Sequence, residues 1–378
     1  MSTRSAPTPS ASERPAKKIK SDSNKAGASV GQAPPLGKFL ASSEKHVRDK
    51  AVQSLAKFLS AGQVNRRGPD DEEEPEREKE LPVGDLDWDR EYEVDKRLSE
   101  TEMDKLWKGI FFCYWMSDKP LVQQALADTL SRLTLDVRTR YKTRSGRVER
   151  FRCALAYLRG FWHAVTREWS GIDRLRMDKF LLLMRRFVFV AFKLLEREGW
   201  DARAIKEYNE MLVGPKGPLR VEDPKIPHSL AYHLFDIYLD EIERLASSSD
   251  ADAAPARTLP LVALLQPMYT TAARAANSTM YSRLIENVFT PLCDALLPPK
   301  PEPAAKRRKG VSTLPKPEYP GIVARAVEGE GVEGRAEAEA IGKKVLKALF
   351  DEGAKPETDE TNRRRIYRFV AERDVELE

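Results

Sequence analysis

Seven cationic side chains fall within a short stretch of this 378-residue chain, RTRYKTRSGRVERFR. They are Arg138, Arg140, Lys142, Arg144, Arg147, Arg150 and Arg152. Only Glu149 opposes them, and Tyr141 and Phe151 lie between them. Guanidinium groups suit phosphate oxygens, and aromatic rings stack on unpaired bases, so the pattern favours RNA binding that depends on salt more than on sequence. The alternative is an exposed loop whose cations pair with the acidic run Asp70–Glu74.

A second basic cluster has the composition of a nuclear localisation signal. It consists of Lys306, Arg307, Arg308 and Lys309 in a proline-rich stretch, and a weaker candidate lies at Lys17–Lys20. The N-terminus shows no apolar segment typical of a secretory signal. The three cysteines show no CxxC spacing, which argues against a disulfide framework or a zinc site. We therefore expect a nuclear protein in a reducing compartment.

The residue types used in catalysis do not occur here in a catalytic pattern. His46, His163, His228 and His233 give no HExxH spacing, and no serine or cysteine nucleophile motif or P-loop is found. Residues 329–334 satisfy GxGxxG, but three glutamates would repel a pyrophosphate there and no βαβ pattern surrounds the motif. We interpret it as a flexible linker. The sequence predicts no enzymatic activity, no cofactor, no metal, no small-molecule substrate and no membrane association.

The stretch from Phe161 to Trp200 predicts two helices joined by a corner at Ser170–Asp173. Gly171 is expected to adopt a left-handed conformation there, which would make Gly171→Val destabilising, and Asp173 is expected to cap the second helix. Apolar residues cover most of that helix from Leu175 to Leu195, which predicts a central core helix. The solvent-exposed side of this helix is predicted to consist of its charged residues, Arg174, Asp178, Lys179, Arg185, Arg186, Glu196 and Arg197. Charges interrupt the apolar run too early for a membrane span.

The rest of the chain also shows helical periodicity. Helices are predicted within 39–59, from 99 to 116, from 120, near 201–213, 228–247, 258–275 and 279–296, and at 336–350 and 362–371. The pattern Val47-Arg48-x-x-Ala51 resembles a HEAT or armadillo repeat, in which the arginine ties neighbouring repeats. The fold prediction is therefore all-α, an irregular HEAT/armadillo-like stack of helical hairpins with disordered tails.

We predict four segments along the chain. They are a disordered basic tail at 1–35, a helical-repeat domain at 36–297 with an acidic insertion at 61–98, a Pro/Gly-rich basic linker at 298–335, and a C-terminal helical extension at 336–378.

Four segments together resemble the ribosomal RNA-processing protein 1 family of eukaryotic nucleolar proteins. They are FLASSEKHVRDKAVQSLAKFLS (39–60), LWKGIFFCYWMSDKPLVQQALADTL (106–130), FWHAVTREWSGIDRLRMDKFLLLMRR (161–186) and HLFDIYLDEI (233–242). The resemblance implies a helical-repeat fold and a non-catalytic assembly factor of the large (60S) ribosomal subunit precursor. It further implies that the protein works in the nucleolus with pre-rRNA and other assembly factors, including a Brix-domain protein. The alternative is a helical-repeat adaptor or transport receptor that binds a basic protein cargo.

Overall fold

The computed structural model describes residues 36–60, 100–138, 144–248, 258–297, 319–326 and 331–373, and all of these lie in one compact unit, residues 35–378. The predicted N-terminal tail, the acidic insertion and the Lys306–Lys309 cluster lie outside the described residues. The described part of the chain is helical and contains no strand, as predicted.

The described residues form fifteen α-helices. They are α1 (Leu36–Leu40), α2 (Lys45–Ser60), α3 (Glu100–Trp115), α4 (Pro120–Asp136), α5 (Arg144–Glu168), α6 (Arg174–Arg197), α7 (Ala202–Val213), α8 (His228–Ala246), α9 (Leu261–Leu264), α10 (Gln266–Ala273), α11 (Ser278–Leu284), α12 (Thr290–Leu296), α13 (Pro320–Ala326), α14 (Gly331–Ala354) and α15 (Glu360–Ala371). A π-helical turn, Ile285–Phe289, joins α11 to α12.

Two rows of helices result from this order. Helices α2, α4, α6 and α8 pack side by side in one row, while α3, α5, α7 and α10 form the other. Helices α4 and α6 run parallel, because Asp128 pairs with Arg186 at 2.7 Å and, further along both helices, the Leu135 carbonyl accepts from Arg197 at 2.8 Å. Helices α6 and α8 are parallel for the same reason, with His233 Nε2 at 3.0 Å from the Leu181 carbonyl and Asp240 at 2.7 Å from Arg185. Helix α6 packs against both neighbours in its row and against α5, which confirms its prediction as the central helix.

Aromatic rings fill the centre between the rows. The rings of Phe161 and Phe187 stack with centroids 3.9 Å apart, and Trp107 lies 4.7 Å from Tyr157. Gly160 allows this packing, because a Cβ at that position would lie 2.2 Å from the Trp107 ring. The tryptophans were predicted to belong to the core, and Trp107, Trp162 and Trp169 are buried, with Trp115 half-buried.

The corner between α5 and α6 was predicted correctly at one residue and wrongly at another. Asp173 caps α6 by accepting hydrogen bonds from the backbone N–H groups of Leu175 and Arg176. Gly171 instead ends a 3-10 turn without a left-handed backbone, and a Cβ there would meet open space. The expected left-handed conformation lies at the next corner, in Gly199 (φ 69°) and Trp200 (φ 58°).

Two cations in the first row are buried where helices end. Lys179, predicted to face solvent, is 5% exposed, and its ammonium donates to the carbonyls of Trp115 (2.6 Å) and Ser117 (2.8 Å) at the end of α3. Arg48 is 7% exposed and donates to the Ser43 carbonyl at 2.8 Å and to the Met116 carbonyl at 3.4 Å. Arg48 thus joins the first helical pair to the second, as the repeat pattern predicted.

The C-terminal helices continue the stack. Helix α14 packs on α10 and α12, and the Asn362 amide of α15 donates to the Ala275 carbonyl at 2.9 Å. The structure differs from the predicted linker, since α13 lies within it and Gly331 and Gly334 of the glycine motif belong to α14. The four-segment division itself stays a prediction.

Among the described helices, none combines the length and the apolar character that crossing a lipid bilayer requires.

Candidate nucleic-acid interface

The predicted RNA-binding run is divided between the end of α4 and the first turns of α5. Arg140 and Lys142 lie outside the described residues, as does the side chain of Arg144. Arg138 is exposed just after α4, and its backbone N–H donates to the Leu59 carbonyl at 3.0 Å. The interpretation of the whole run as a loop is wrong, because α5 begins at Arg144 and buries Val148 and Phe151.

Three arginines converge on one buried carboxylate, Glu198, directly after α6. The Nε atom of Arg147 lies 2.8 Å from Oε2, while Arg150 Nη2 and Arg197 Nε lie 3.3 and 3.0 Å from Oε1. The Glu198 side chain is 2% exposed, whereas those of the three arginines are 31%, 30% and 26% exposed. We call these four residues the Glu198 cluster.

The cluster is positioned by the ends of two parallel helices. Arg197 Nη1 donates to the Leu135 carbonyl at 2.8 Å in the last turn of α4, and Arg147 Nη2 donates to the Arg197 carbonyl at 3.4 Å. Carbonyl groups at a helix C-terminus carry partial negative charge and favour cations there. The left-handed corner at Gly199 and Trp200 turns the chain away, which leaves Glu198 between α5 and α6.

Charge in the Glu198 cluster is not balanced. Three guanidinium groups share one carboxylate, so the four residues carry a formal charge of +2. Burial lowers the pKa of Arg197, and repulsion from Arg150 lowers it further, but an arginine keeps its proton at neutral pH. Arg150 Nε and Arg197 Nη2 are buried donors without a hydrogen-bond partner among the described residues. The two unpaired donors are themselves buried, so what the arrangement offers an external anion is its excess positive charge on guanidinium groups that are partly exposed.

Arg152 differs from its neighbours because it has its own carboxylate. Its Nη2 lies 2.7 Å from Oε1 of Glu207 on α7, and its Nε also donates to that carboxylate at 3.1 Å. A bidentate pair of this kind neutralises the arginine and fixes its plane. The structure therefore brings Arg147 and Arg150 together and places Arg152 in a separate pair between α5 and α7.

Sequence reasoning had not linked the acidic partners to the basic run. Glu198 lies 48 residues from Arg150, and Glu207 lies 55 residues from Arg152, so no local pattern connects these carboxylates to the basic run. The basic run was instead expected to pair, if at all, with Asp70–Glu74, which lies outside the described residues.

A cleft of about 660 Å³ between α3, α5 and α7 contains the buried histidine His163. Burial, reinforced by Lys216, lowers the pKa of its imidazole, and Asp104 lies 4.0 Å away. The acidic groups around it are engaged by cations, as in the pair of 3.1 Å between Lys216 and Glu100. Within the described part of the chain, no group of three potential ligands could hold a metal ion.

Comparison with known proteins places this architecture in a family. The family model described as nucleolar protein, Nop52 matches residues 31–370. Human ribosomal RNA processing protein 1 homolog A is 26% identical over 372 residues, which covers 90% of this chain and 70% of the relative. Human homolog B is 28% identical over 255 residues, and the Drosophila melanogaster homolog is 32% identical over 150 residues.

The matched regions are unequal parts of the relatives. This chain spans 27% of the length of human homolog B and 20% of the Drosophila melanogaster protein. The family match itself runs from ahead of α1 into α15. It confirms the resemblance found in the sequence, and the chain belongs to the Nop52 family of nucleolar proteins, whose relatives are named for ribosomal RNA processing.

Proposed function

We propose that the protein is a non-catalytic nucleolar assembly factor of the large (60S) ribosomal subunit precursor. It scaffolds pre-rRNA processing by binding pre-rRNA and other assembly factors, a Brix-domain protein among them. Membership in a family of nucleolar proteins and relatives named for ribosomal RNA processing support the role in ribosome biogenesis. The observation that carries the RNA-binding part is the excess of guanidinium groups around Glu198.

In this proposal the helical stack acts as a rigid frame. Arg147, Arg150 and Arg197 present their outer N–H groups to phosphate oxygens while Glu198 holds their inner ones. Arg138 is exposed after α4 and adds positive charge near Arg197. Contacts of this kind position an RNA backbone without reading its bases, so binding tolerates many sequences and weakens with salt. The cutting of the RNA is left to separate nucleases.

The phosphate contact is tested with the double variant Arg147→Gln/Arg150→Gln in the full chain. Binding of a pre-rRNA fragment is measured at several salt concentrations, and the log–log slope is compared with that of the parent. Because each lost phosphate contact lowers the slope by roughly 0.7 to 0.9, we expect a decrease of about 1.5. Thermal unfolding of the variant shows that the fold is retained.

Arg152→Gln is the matched control, because the Arg152 charge is already neutralised by Glu207. It should change the slope by less than either single substitution in the Glu198 cluster. An unchanged slope in the folded double variant would reject the cluster as a phosphate contact.

The cellular role is tested by depletion. Loss of the protein should cause spacer-containing precursor rRNA to accumulate, and the protein should co-sediment with large-subunit precursors. Normal rRNA processing after depletion would contradict the proposed function whatever the outcome of the binding measurements.

A further inference from the structure

Helices α14 and α15 carry an aromatic pair on their outer surface. The rings of Phe350 and Tyr367 stack with centroids 4.6 Å apart and an angle of 27° between their planes. Phe350 is 38% exposed, one of a small set of exposed large apolar side chains among the described residues. Tyr367 beneath it is half-buried. The Phe350 ring is therefore supported by Tyr367 on one face and partly accessible to solvent.

The packing of this hairpin does not depend on the exposed ring. The two helices pack against each other, and Val345, Leu346 and Leu349 of α14 and Ile366 of α15 are all buried in the hydrophobic core. Gly353 lets the helices approach closely, since a Cβ there would lie 3.0 Å from Ile366. The aromatic pair lies outside this core and is held by it, so it forms a rigid platform.

Cations flank the pair on both sides. Lys347, one turn before Phe350, is exposed and makes no ion pair within the described residues. Arg364, one turn before Tyr367, is 78% exposed and shares Glu360 with Arg363. The two helices are antiparallel, because the Arg363 side chain donates to the Gly353 carbonyl at 2.9 Å. Lys347 and Arg364 therefore lie on opposite sides of the aromatic pair.

An unpaired nucleotide has this same order of groups. Its base offers a flat π-face, and a phosphate follows on either side along the backbone. Stacking on protein rings is the usual way in which single strands are held without sequence readout, and cations nearby track the backbone. Over residues 344–354 of α14 and 360–371 of α15, three acidic groups are outnumbered by six cations: the acids are Asp351, Glu352 and Glu360, and the cations are Lys344, Lys347, Arg363, Arg364, Arg365 and Arg368. This surface therefore favours binding of a polyanion over binding of a basic partner.

We propose that Phe350 and Tyr367 form a stacking platform for an unpaired base of single-stranded RNA, with Lys347 and Arg364 on the flanking phosphates. This site goes beyond the Glu198 cluster in the kind of RNA it selects. The cluster binds phosphate in duplex and single strand alike, whereas the platform requires an accessible base.

The experiment compares a single-stranded oligoribonucleotide with a duplex of the same length, both bound to the full chain. Phe350→Leu removes the ring and keeps an apolar side chain, and Phe350→Trp retains a ring. Phe39→Leu on α1 is the matched control, since Phe39 is 50% exposed elsewhere on the stack. Because base–aromatic stacking is worth roughly 1–3 kcal/mol, Phe350→Leu should weaken single-strand binding by about 5- to 150-fold. Duplex binding should stay within twofold, and Phe350→Trp should match the parent.

The flanking cations are tested by Lys347→Gln/Arg364→Gln, which should lower the salt slope for the single strand by about 1.4. The platform is overturned if Phe350→Leu binds the single strand like the parent, loses duplex binding equally, or behaves like Phe39→Leu. Failure of the Glu198 cluster gives a different result. In that case Arg147→Gln/Arg150→Gln changes the binding of neither the single strand nor the duplex, while Phe350→Leu still weakens binding of the single strand.

Discussion

Two groups of cations in the same stack are satisfied in different ways. At the end of α3, Lys179 and Arg48 are almost fully buried and donate to backbone carbonyls of residues 115–117. In the Glu198 cluster, three arginines are between a quarter and a third exposed and share one carboxylate. Both groups join neighbouring helical pairs. In the sequence, the residues of both groups can be recognised only as basic, so the sequence does not distinguish them.

The difference shows that the partner decides what a cation can do. Lys179 and Arg48 donate their hydrogen bonds to backbone carbonyl groups at a helix end. These residues therefore stabilise the stack and have little capacity to bind an external anion. One carboxylate cannot neutralise three guanidinium groups, so the Glu198 cluster stabilises the stack and keeps charge available. We expect substitutions in the first group to affect stability alone, and substitutions in the second to affect stability and binding together.

The largest effect is expected from Glu198→Gln. Removing the buried carboxylate leaves three guanidinium groups facing one another, and breaking a buried ion pair from one side costs about 3–5 kcal/mol. The free energy of unfolding, measured by urea denaturation at neutral pH, should fall by that amount. Inorganic phosphate should raise the melting temperature of the variant more than that of the parent, because it substitutes for the lost anion.

Glu207→Gln is the control for this measurement. Its pair with Arg152 is about a quarter exposed on both sides and one-to-one, so the expected loss is at most about 1 kcal/mol. Equal losses at Glu198 and Glu207 would mean that the Glu198 cluster is an ordinary set of surface ion pairs.

A smaller effect is expected from Lys179→Met. The methionine can fill the space of the lysine stem, but it leaves the Trp115 carbonyl without its buried donor, which costs about 1–3 kcal/mol. The salt dependence of RNA binding should not change. Lys206→Met, on an exposed position of α7, should leave the free energy of unfolding within about 0.5 kcal/mol of the parent. If Lys179→Met kept normal stability but bound RNA more weakly, Lys179 would contribute to binding rather than to stability, and the distinction between the two groups of cations would be wrong.

Helical periodicity predicted much of the fold because most helices can be recognised from their local sequence. The apolar spacing from Leu175 to Leu195 identified α6, and Asp173 at its start was recognisable as a cap. The first turns of α5 were missed because the charges at 138–152 obscured the helical spacing of Val148 and Phe151, both of which are buried. Helix α13 depends on a distant residue: the Glu243 carboxylate accepts the backbone N–H groups of Gly321 and Ile322, each at 2.8 Å.

The candidate site could be predicted only in part from the sequence, because it too depends on residues that are distant in the chain. A run of arginines can be read directly, but which of them carry spare charge depends on Glu198 and Glu207, which tertiary packing brings to them. Lys179 shows the opposite error, since its position on the helical wheel indicated solvent while the end of α3 covers it. The sequence thus located the charge, and the structure divided it into neutralised and available parts.

The smallest effect concerns His233, a half-buried side chain that becomes a cation only when it is protonated. It has one carbonyl within reach, that of Leu181 at 3.0 Å, and burial lowers its pKa despite that bond and the nearby Asp236, with Arg185 lowering it further. Below the ordinary histidine pKa of about 6.5, the unfolded chain therefore takes up a proton before the folded chain does.

Stability present above pH 6.5 should accordingly be lost as the pH falls through the pKa of folded His233. His233→Gln keeps a donor for the Leu181 carbonyl and cannot titrate, so its urea midpoint should decline less between about pH 7 and pH 5 than that of the parent. His46→Gln, with a ring that is 69% exposed, is expected to follow the parent profile. If the urea midpoint of His233→Gln declines as much as that of the parent, one carbonyl is enough to accommodate a half-buried imidazolium here. The distinction between the end of α3 and the Glu198 cluster would then rest on the charge excess alone.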